Sequence, residues 1–379
     1  MAKVEFSHAA TSGLVTVVIP TYRADDYIGE ALTTISRQRF PNWELIVVED
    51  ASQGKTEGIV RQFAKDHPDH RVIYLRNEKN SGPSHSRNVA FQEARGEFIA
   101  LLDADDRWLD THLTAALGQL REQQADLVYS TVLLTEDITE QLMGLWGPDY
   151  QELQDFPHAL FTRNTITPSA TVMRRSVIAD VGLWATNLRL CEDLDYWLRC
   201  LGEGKKFGYV RGCHCLYRQN RAEAATKNKC AVQESVARVA ERYIGVAGTR
   251  ESTCRNRISR TFARAARFHK QGDSRDPSRD LRKIPALLIK AWKLRPKRLD
   301  YLVRAAWWSL LNSCRKPAEP PAQLPVSLQS GMMWSASSGA ATRGPTNRSV
   351  PLPFCMPPAT RISARTPSSI GSTSDVSNR

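Results

Sequence analysis

The chain has 379 residues, 41% of them apolar, which is enough to bury one large core or two smaller ones. A formal charge of +12 favours anionic partners, a class that spans nucleotides, nucleic acid and anionic membrane surfaces without choosing among them. No apolar run approaches the ~20 residues of a spanning helix, and no secretory apolar core opens the chain, so a soluble or peripheral protein is expected. The eight cysteines lack paired C-x-x-C spacing, and Cys213-His214-Cys215 is too tight for a usual zinc knuckle; they read as reduced thiols of a cytoplasmic protein.

After a short N-terminal stretch over 1–13, expected to be flexible, β-branched runs alternate with helical segments from 14 to 131. Strands are expected at Leu14–Pro20, Glu44–Glu49, Arg71–Leu75, Phe98–Leu102 and Asp126–Ser130. The rhythm predicts an α/β chain with a Rossmann-like, doubly wound, mostly parallel sheet. Asp25 and Asp26 are good N-cap residues for a first helix whose Ile28, Leu32 and Ile35 fall on one face. Residues 132–220 are less regular, with a second apolar run at Ala170–Met173 and a helix near 191–201 whose Leu194, Trp197, Leu198 and Leu201 form a stripe. A basic helical region is expected over 221–316. There Lys283, Lys290, Lys293, Arg295, Lys297, Arg298 and Arg304 mix with Trp292, Trp307 and Trp308, a composition suited either to a solvated basic face or to peripheral contact with the anionic inner face of the plasma membrane through 280–316. Residues 317–379, rich in Pro, Ser, Thr and Gly and free of Lys, are expected to be a disordered low-complexity tail.

The residues that carry chemistry stand where strands should end. In an open α/β sheet the carboxyl ends of parallel strands form the ligand crevice. The apolar run Phe98–Leu102 stops in Asp103, Asp105 and Asp106, three carboxylates that repel one another unless a cation sits among them; oxygen ligation of this kind suits Mg²⁺ or Mn²⁺ with a diphosphate. Glu192 and Asp193 open the helix near 191, where they complement its dipole and where an ionised carboxylate can accept a proton.

In order, V-x-I-P-T-Y at 17–22, Glu49-Asp50, N-x-G-x-x-x-x-R-N at 80–88, L-D-A-D-D-R-W at 102–108 and C-E-D-L-D-Y-W-L-R at 191–199 resemble the family 2 glycosyltransferases, the inverting group with a GT-A fold. The likeness runs through about 14–220. It implies a nucleotide-sugar-binding half over 14–131 and an acceptor half over 132–220. It places Pro20, Thr21 and Tyr22 beside the nucleotide, gives Asp50 a base N–H to accept, and sets Arg87 against the nucleotide. Asp103 and Asp105 correspond to the D-x-D motif on ribose and metal-bound diphosphate, with Asp105 or Asp106 as the metal ligand. Glu192 lies on the acceptor side and Asp193 serves as general base. The implied cofactor is Mn²⁺ or Mg²⁺, the implied donor a nucleoside-diphosphate sugar with a UDP-sugar the first expectation, and the implied acceptor a hydroxyl of a glycan or lipid-linked saccharide in surface polysaccharide assembly. Asn220 stands where many members of the family have His after Tyr217-Arg218, and the Q-x-x-R-W motif of processive synthases is missing, so one sugar per encounter is expected.

Other readings fit less well. A dinucleotide oxidoreductase needs G-x-G-x-x-G where Pro20-Thr21-Tyr22 stands. A nucleotidyltransferase needs a Gly-rich basic loop after the first strand. A nucleic-acid binder needs a recognition helix or an aromatic-studded basic strand, so no nucleic acid is expected. A degenerate GT-A fold that only binds nucleotide would not need Asp103, Asp105, Asp106 and Asp193.

Overall fold

The computed structural model of the protein describes residue 4 and residues 6–219, 229–246, 248–271 and 276–313. In chain order the elements are β1 (Thr11–Thr21), α1 (Ile28–Ser36), β2 (Trp43–Glu49), α2 (Thr56–Asp66), β3 (Val72–Arg76), α3 (Pro83–Glu93), β4 (Gly96–Leu101), β5 (Arg107–Trp108), α4 (His112–Glu122), β6 (Leu127–Glu136), β7 (Leu142–Trp146), α5 (Tyr150–Gln154), β8 (Thr171–Arg174), α6 (Arg175–Val181), α7 (Glu192–Gly202), β9 (Phe207–Gln219), α8 (Lys229–Glu241), α9 (Glu251–Gln271), α10 (Ile284–Leu294) and α11 (Leu299–Ser313). The sheet order is β3-β2-β1-β4-β8-β6-β9-β5, with β7 paired to β6. This is the α/β architecture expected, with a helical C-terminal region. The expected tail, 317–379, and Asn220 lie outside the described residues.

Strands β3, β2, β1 and β4 run parallel. Their apolar residues alternate between two layers, as a strand covered on both faces requires. Val15, Val17 and Ile19 of β1 pack with α1, α2 and α4, while Val18 faces the layer built by α3, α6, α7 and the C-terminal helices. That second layer is continuous from Val18 through Trp197 and Phe262 to Trp308. The basic helical region therefore shares a core with the sheet.

Beyond β4 the sheet departs from a uniformly parallel order. β8 lies between β4 and β6 and is antiparallel to both. An antiparallel strand beside β4 starts where β4 ends. This brings the segment before β8 to the carboxyl edge of the sheet.

Two local readings are corrected. Asp25 does not cap α1, whose N-cap residue, Tyr27, makes no side-chain capping bond. Its carboxylate instead accepts from Lys55 N at 2.7 Å and Thr56 N at 2.9 Å, satisfying donors at the start of α2. The segment 1–13, expected to be flexible, is seated where it is described. β1 begins at Thr11, Val4 N donates to Ala179 O, and the Arg175 guanidinium lies over the Phe6 ring.

Gly96, at the start of β4, tests the closeness of the sheet. A Cβ there would lie 2.6 Å from Thr16 N and 2.8 Å from Leu14 O, both backbone atoms. Gly96→Ala should lower stability by about 1–3 kcal/mol. Gly118, exposed within α4 with open space around it, should tolerate alanine and gain about 0.5–1 kcal/mol. Urea unfolding midpoints of the two variants should move in opposite directions.

Candidate active site

The registers Thr21↔Glu49 and Val18↔Leu101 put the ends of β1, β2 and β4 at one edge of the sheet. At that edge stand Pro20 and Thr21 at the end of β1, Tyr22 just beyond it, Asp50 and the 103–106 turn. Left-handed backbone recurs there: Arg23 (φ 49°), Ala51 (φ 61°) and Cys191 (φ 61°) each adjoin one of the motifs. Such conformations are disfavoured for residues with a Cβ and persist where the surroundings impose them, which is common at ligand sites.

Asp50, nearly buried, organises the next loop. Its Oδ1 accepts from Asn77 Nδ2 at 2.8 Å and Ser81 N at 2.9 Å, and Oδ2 accepts from Gly82 N at 2.7 Å. Gly82 sits at φ 87°, a glycine conformation, and Pro83 then opens α3. The N-x-G-x-x-x-x-R-N motif is thus a folded loop held by Asp50, delivering Arg87 to the crevice. Asn88 locks the far side, exchanging hydrogen bonds with Trp184 O and Trp184 N, each at 2.9 Å.

Arg87 is 2% exposed. Its Nη2 donates to Asp103 Oδ1 at 2.6 Å, Nη1 stands 3.8 Å from Glu192 Oε1, and the guanidinium lies 4.7 Å from the Trp184 ring centre. One cation therefore joins the end of β4 to the start of α7. Arg87 Nε and Nη1, Thr21 Oγ1 and Ser84 Oγ are buried without a hydrogen-bond partner among the described residues. Buried polar atoms are rarely left unpaired unless a ligand or water completes them. Tyr22 is 39% exposed at the rim.

The three acids of the 103–106 turn differ in surroundings. Asp103 and Asp105 are half-buried, whereas Asp106 is 1% exposed. Asp106 Oδ2 accepts from Ser169 Oγ at 2.5 Å and Oδ1 from Arg218 N at 3.0 Å. Burial, followed by the charges of Asp105 and Asp103, holds the Asp106 carboxyl well above the usual range. Ser169 Oγ also accepts from Asp103 N, and Trp108 Nε1 donates to Ser169 O at 2.6 Å. Arg218 supports the turn from below, donating to Asp105 O at 3.1 Å and pairing with Glu30 at 2.7 Å.

On the opposite wall, Asp193 Oδ2 accepts from Asn164 Nδ2 at 2.6 Å and Oδ1 from Leu194 N at 2.7 Å. Burial raises its pKa, against the Leu194 N–H, Arg87 and Asn164. Glu192 is pushed up to about 7, first by burial and then by Asp193, with Arg87 opposing. The third acid of the motif, Asp195, is structural: it pairs with Arg199 at 3.1 Å and accepts from Tyr243 Oη at 2.6 Å, tying α7 to the segment after α8.

The structure thus gathers Thr21, Asp50, Arg87, Asp103, Asp105, Glu192 and Asp193 around one crevice. Ser169, Asn164 and Asn77 were not singled out from the sequence; only the antiparallel entry of β8 brings the first two there. His214 is packed between Thr111 and Arg211 O. Among the described residues no group of three His, Cys, Asp or Glu side chains is placed to hold a metal ion. The oxygen donors of Asp103 and Asp105 fit a hard divalent cation that takes its remaining ligands from phosphate and water.

Between about pH 4.5 and 7 the folded chain keeps at Glu192 a proton that the unfolded chain has released, so raising the pH through this window costs stability. Glu192→Gln should flatten that part of the stability–pH profile, and Arg87→Met should move the Glu192 titration upward. Carboxyl chemical shifts recorded against pH, with unfolding midpoints at pH 4.5 and 7.5, check both.

Residues 16–182 match the Glycosyl transferase family 2 model. TuaG of Bacillus subtilis, a protein named for teichuronic acid biosynthesis, is 32% identical over 221 residues, covering 58% of this chain and 84% of TuaG. WfgD of Escherichia coli, a UDP-Glc:alpha-D-GlcNAc-diphosphoundecaprenol beta-1,3-glucosyltransferase, is 33% identical over 116 residues, 31% of this chain and 44% of WfgD. Among solved structures, S. aureus TarS 1–349 superposes with a TM-score of 0.57 at 20% identity, over 79% of this chain and 88% of that one, a likeness of fold. The same TarS segment in complex with UDP-GlcNAc superposes at 0.54, with 17% identity over 79% of this chain and 92% of that one. With TuaG matched across most of its length, this chain belongs to glycosyl transferase family 2 and is a glycosyltransferase with a GT-A-like fold.

Proposed function

We propose that the chain transfers one sugar, with inversion, from a nucleoside diphosphate to a hydroxyl of a glycan or lipid-linked saccharide, in the cytoplasm and in the service of surface polysaccharide assembly. The observation that carries this reading is the Arg87 guanidinium, buried between Asp103 and Glu192 with two nitrogens lacking hydrogen-bond partners, at the edge where strand-end acids collect. The UDP-sugar expectation draws support from WfgD, whose name gives UDP-Glc as donor, and from TarS, solved with UDP-GlcNAc.

In this reading Thr21 and Tyr22 border the base. Asp50 holds the 80–82 loop in place and retains acceptor capacity at Oδ2 for a base N–H. Arg87 faces the diphosphate. Asp103 and Asp105 would hold Mn²⁺ or Mg²⁺, with Asp105 the better ligand than Asp106, because both Asp106 oxygens are committed to Ser169 and Arg218. When bound, the ion neutralises charge on the leaving diphosphate.

Asp193 accepts the acceptor hydroxyl's proton as that oxygen forms its bond to the anomeric carbon and the bond from that carbon to the diphosphate oxygen breaks. A raised carboxylate pKa makes a stronger base, and the hydrogen bonds from Asn164 and Leu194 N fix its orientation. Displacement from the opposite face inverts the anomeric centre.

Calorimetry of the full chain with UDP, GDP, dTDP and CMP, with and without Mn²⁺, tests the donor assignment. UDP should bind with Mn²⁺ present, and Asp105→Ala should weaken that binding at least about tenfold. Asp193→Asn should keep donor affinity and slow transfer by about 10²–10⁴-fold. Failure of all four nucleotides to bind, or transfer at the normal rate by Asp193→Asn, contradicts the reading.

Asn164→Ala gives a separate test. Loss of a hydrogen bond to the ionised form raises the Asp193 pKa, so the acidic limb of the rate–pH profile should move to higher pH. A limb that stays in place separates Asn164 from the base.

A further inference from the structure

Helix α11 is apolar on two opposite faces. Tyr301, Ala305 and Trp308 pack inward and are buried. Leu299, Leu302, Val303, Trp307 and Leu310 recur at helical spacing on the outer side, between 38% and 68% exposed. Ala306 is exposed on the same side, and Ile289 of the neighbouring α10 adds a further exposed apolar side chain. A helix of a globular protein normally turns one apolar stripe to the core and a polar face to water. Here the outward stripe has large apolar residues along most of the helix, more than scattered surface leucines account for.

Charge identifies the occupant. Residues 281–313 hold eight Lys or Arg against the single acid Asp300. Lys283 and Lys290 reach Glu234 and Glu241 across the helices, whereas Lys293, Lys297 and Arg304 are exposed around the stripe. A second copy packed on this face by two-fold symmetry would bring like charges together. The segment after the described residues has the same sign: from 317 onward there are five arginines against Glu319 and Asp375. An anionic lipid surface complements both features, because headgroup charge meets the cations while Leu and Trp enter the acyl boundary.

We infer that the outer face of α11, with Ile289, Lys293 and Lys297, docks the protein on an anionic membrane in the plane of the surface. No helix among the described residues is long and apolar enough to cross a membrane, so the contact is peripheral. The inference goes beyond the proposed transfer reaction and is tested without donor or acceptor, so its failure leaves that reading untouched.

The test is co-sedimentation of the full chain with vesicles of phosphatidylcholine alone or with about one third phosphatidylglycerol. The protein should sediment with the anionic vesicles, stay in solution with the neutral ones, and be weakened by ~1 M salt. A variant carrying Trp307→Gln and Leu310→Gln, both at exposed positions, should keep its thermal midpoint and lose at least about tenfold in vesicle affinity. Lys293→Ser with Lys297→Ser should weaken binding to the anionic vesicles.

Failure of the wild-type chain to sediment with anionic vesicles, or equal binding by the Trp307→Gln/Leu310→Gln protein, overturns the inference. So does a dimer, seen by sedimentation velocity, that this variant dissociates, since the face would then belong to a second copy. A photo-crosslinker at position 307 that captures residues 314–379 would assign it to the chain's own C-terminal segment.

Discussion

A guanidinium removed from water is tolerated only where negative charge or hydrogen-bond acceptors replace hydration, and the crevice is arranged around that requirement at Arg87. Asp103 comes from the end of β4, Glu192 from the first turn of α7, and Trp184 from the segment between them in the fold. Two stretches of the chain, 87–103 and 184–192, separated by about eighty residues, thereby meet at one cation. The interaction also restrains the acids, since Arg87 opposes the burial that pushes Glu192 and Asp193 upward. The residue that draws the walls together thus also lowers the proton affinity of both carboxylates.

The sheet supplies this geometry through one topological choice. Parallel β1, β2 and β4 line up their carboxyl ends, which accounts for Thr21, Asp50 and Asp103. Antiparallel β8 then feeds the 164–170 segment back into the same edge, adding Asn164 against Asp193 and Ser169 against Asp106. Ser169 and Arg218 hold Asp106 inward. The neighbouring Asp103 and Asp105 stay half-buried, so adjacent acids in one short turn differ in their surroundings.

Much of this was legible in the sequence. The strands were marked by apolar runs, of which β2 and β4 end in acids, and α7 by an apolar stripe that acids open, because strand-end chemistry and core alternation are both local signals. Asp25 was misassigned because N-cap chemistry read locally points to the next helix in sequence, whereas its carboxylate reaches Lys55 and Thr56 across the crevice edge. Ser169 and Asn164 were invisible for a related reason: their partners lie 63 and 29 residues away, and nothing in T-I-T-P-S announces an antiparallel insertion. Asp105 and Asp106 could not be ranked until burial distinguished them. The basic C-terminal helices were legible as a helical region with a solvated basic or membrane-facing side, but not as the layer whose inward apolar faces complete the core begun by Val18.

Hydrogen exchange of the full chain with and without UDP and Mn²⁺ tests the central claim that these distant segments form one site. Donor binding should protect residues 80–88, 103–106 and 192–194 in concert. Protection of the first two without any change at 192–194 would contradict the coupling of donor and acceptor walls through Arg87, and protection elsewhere alone would place the donor outside this crevice.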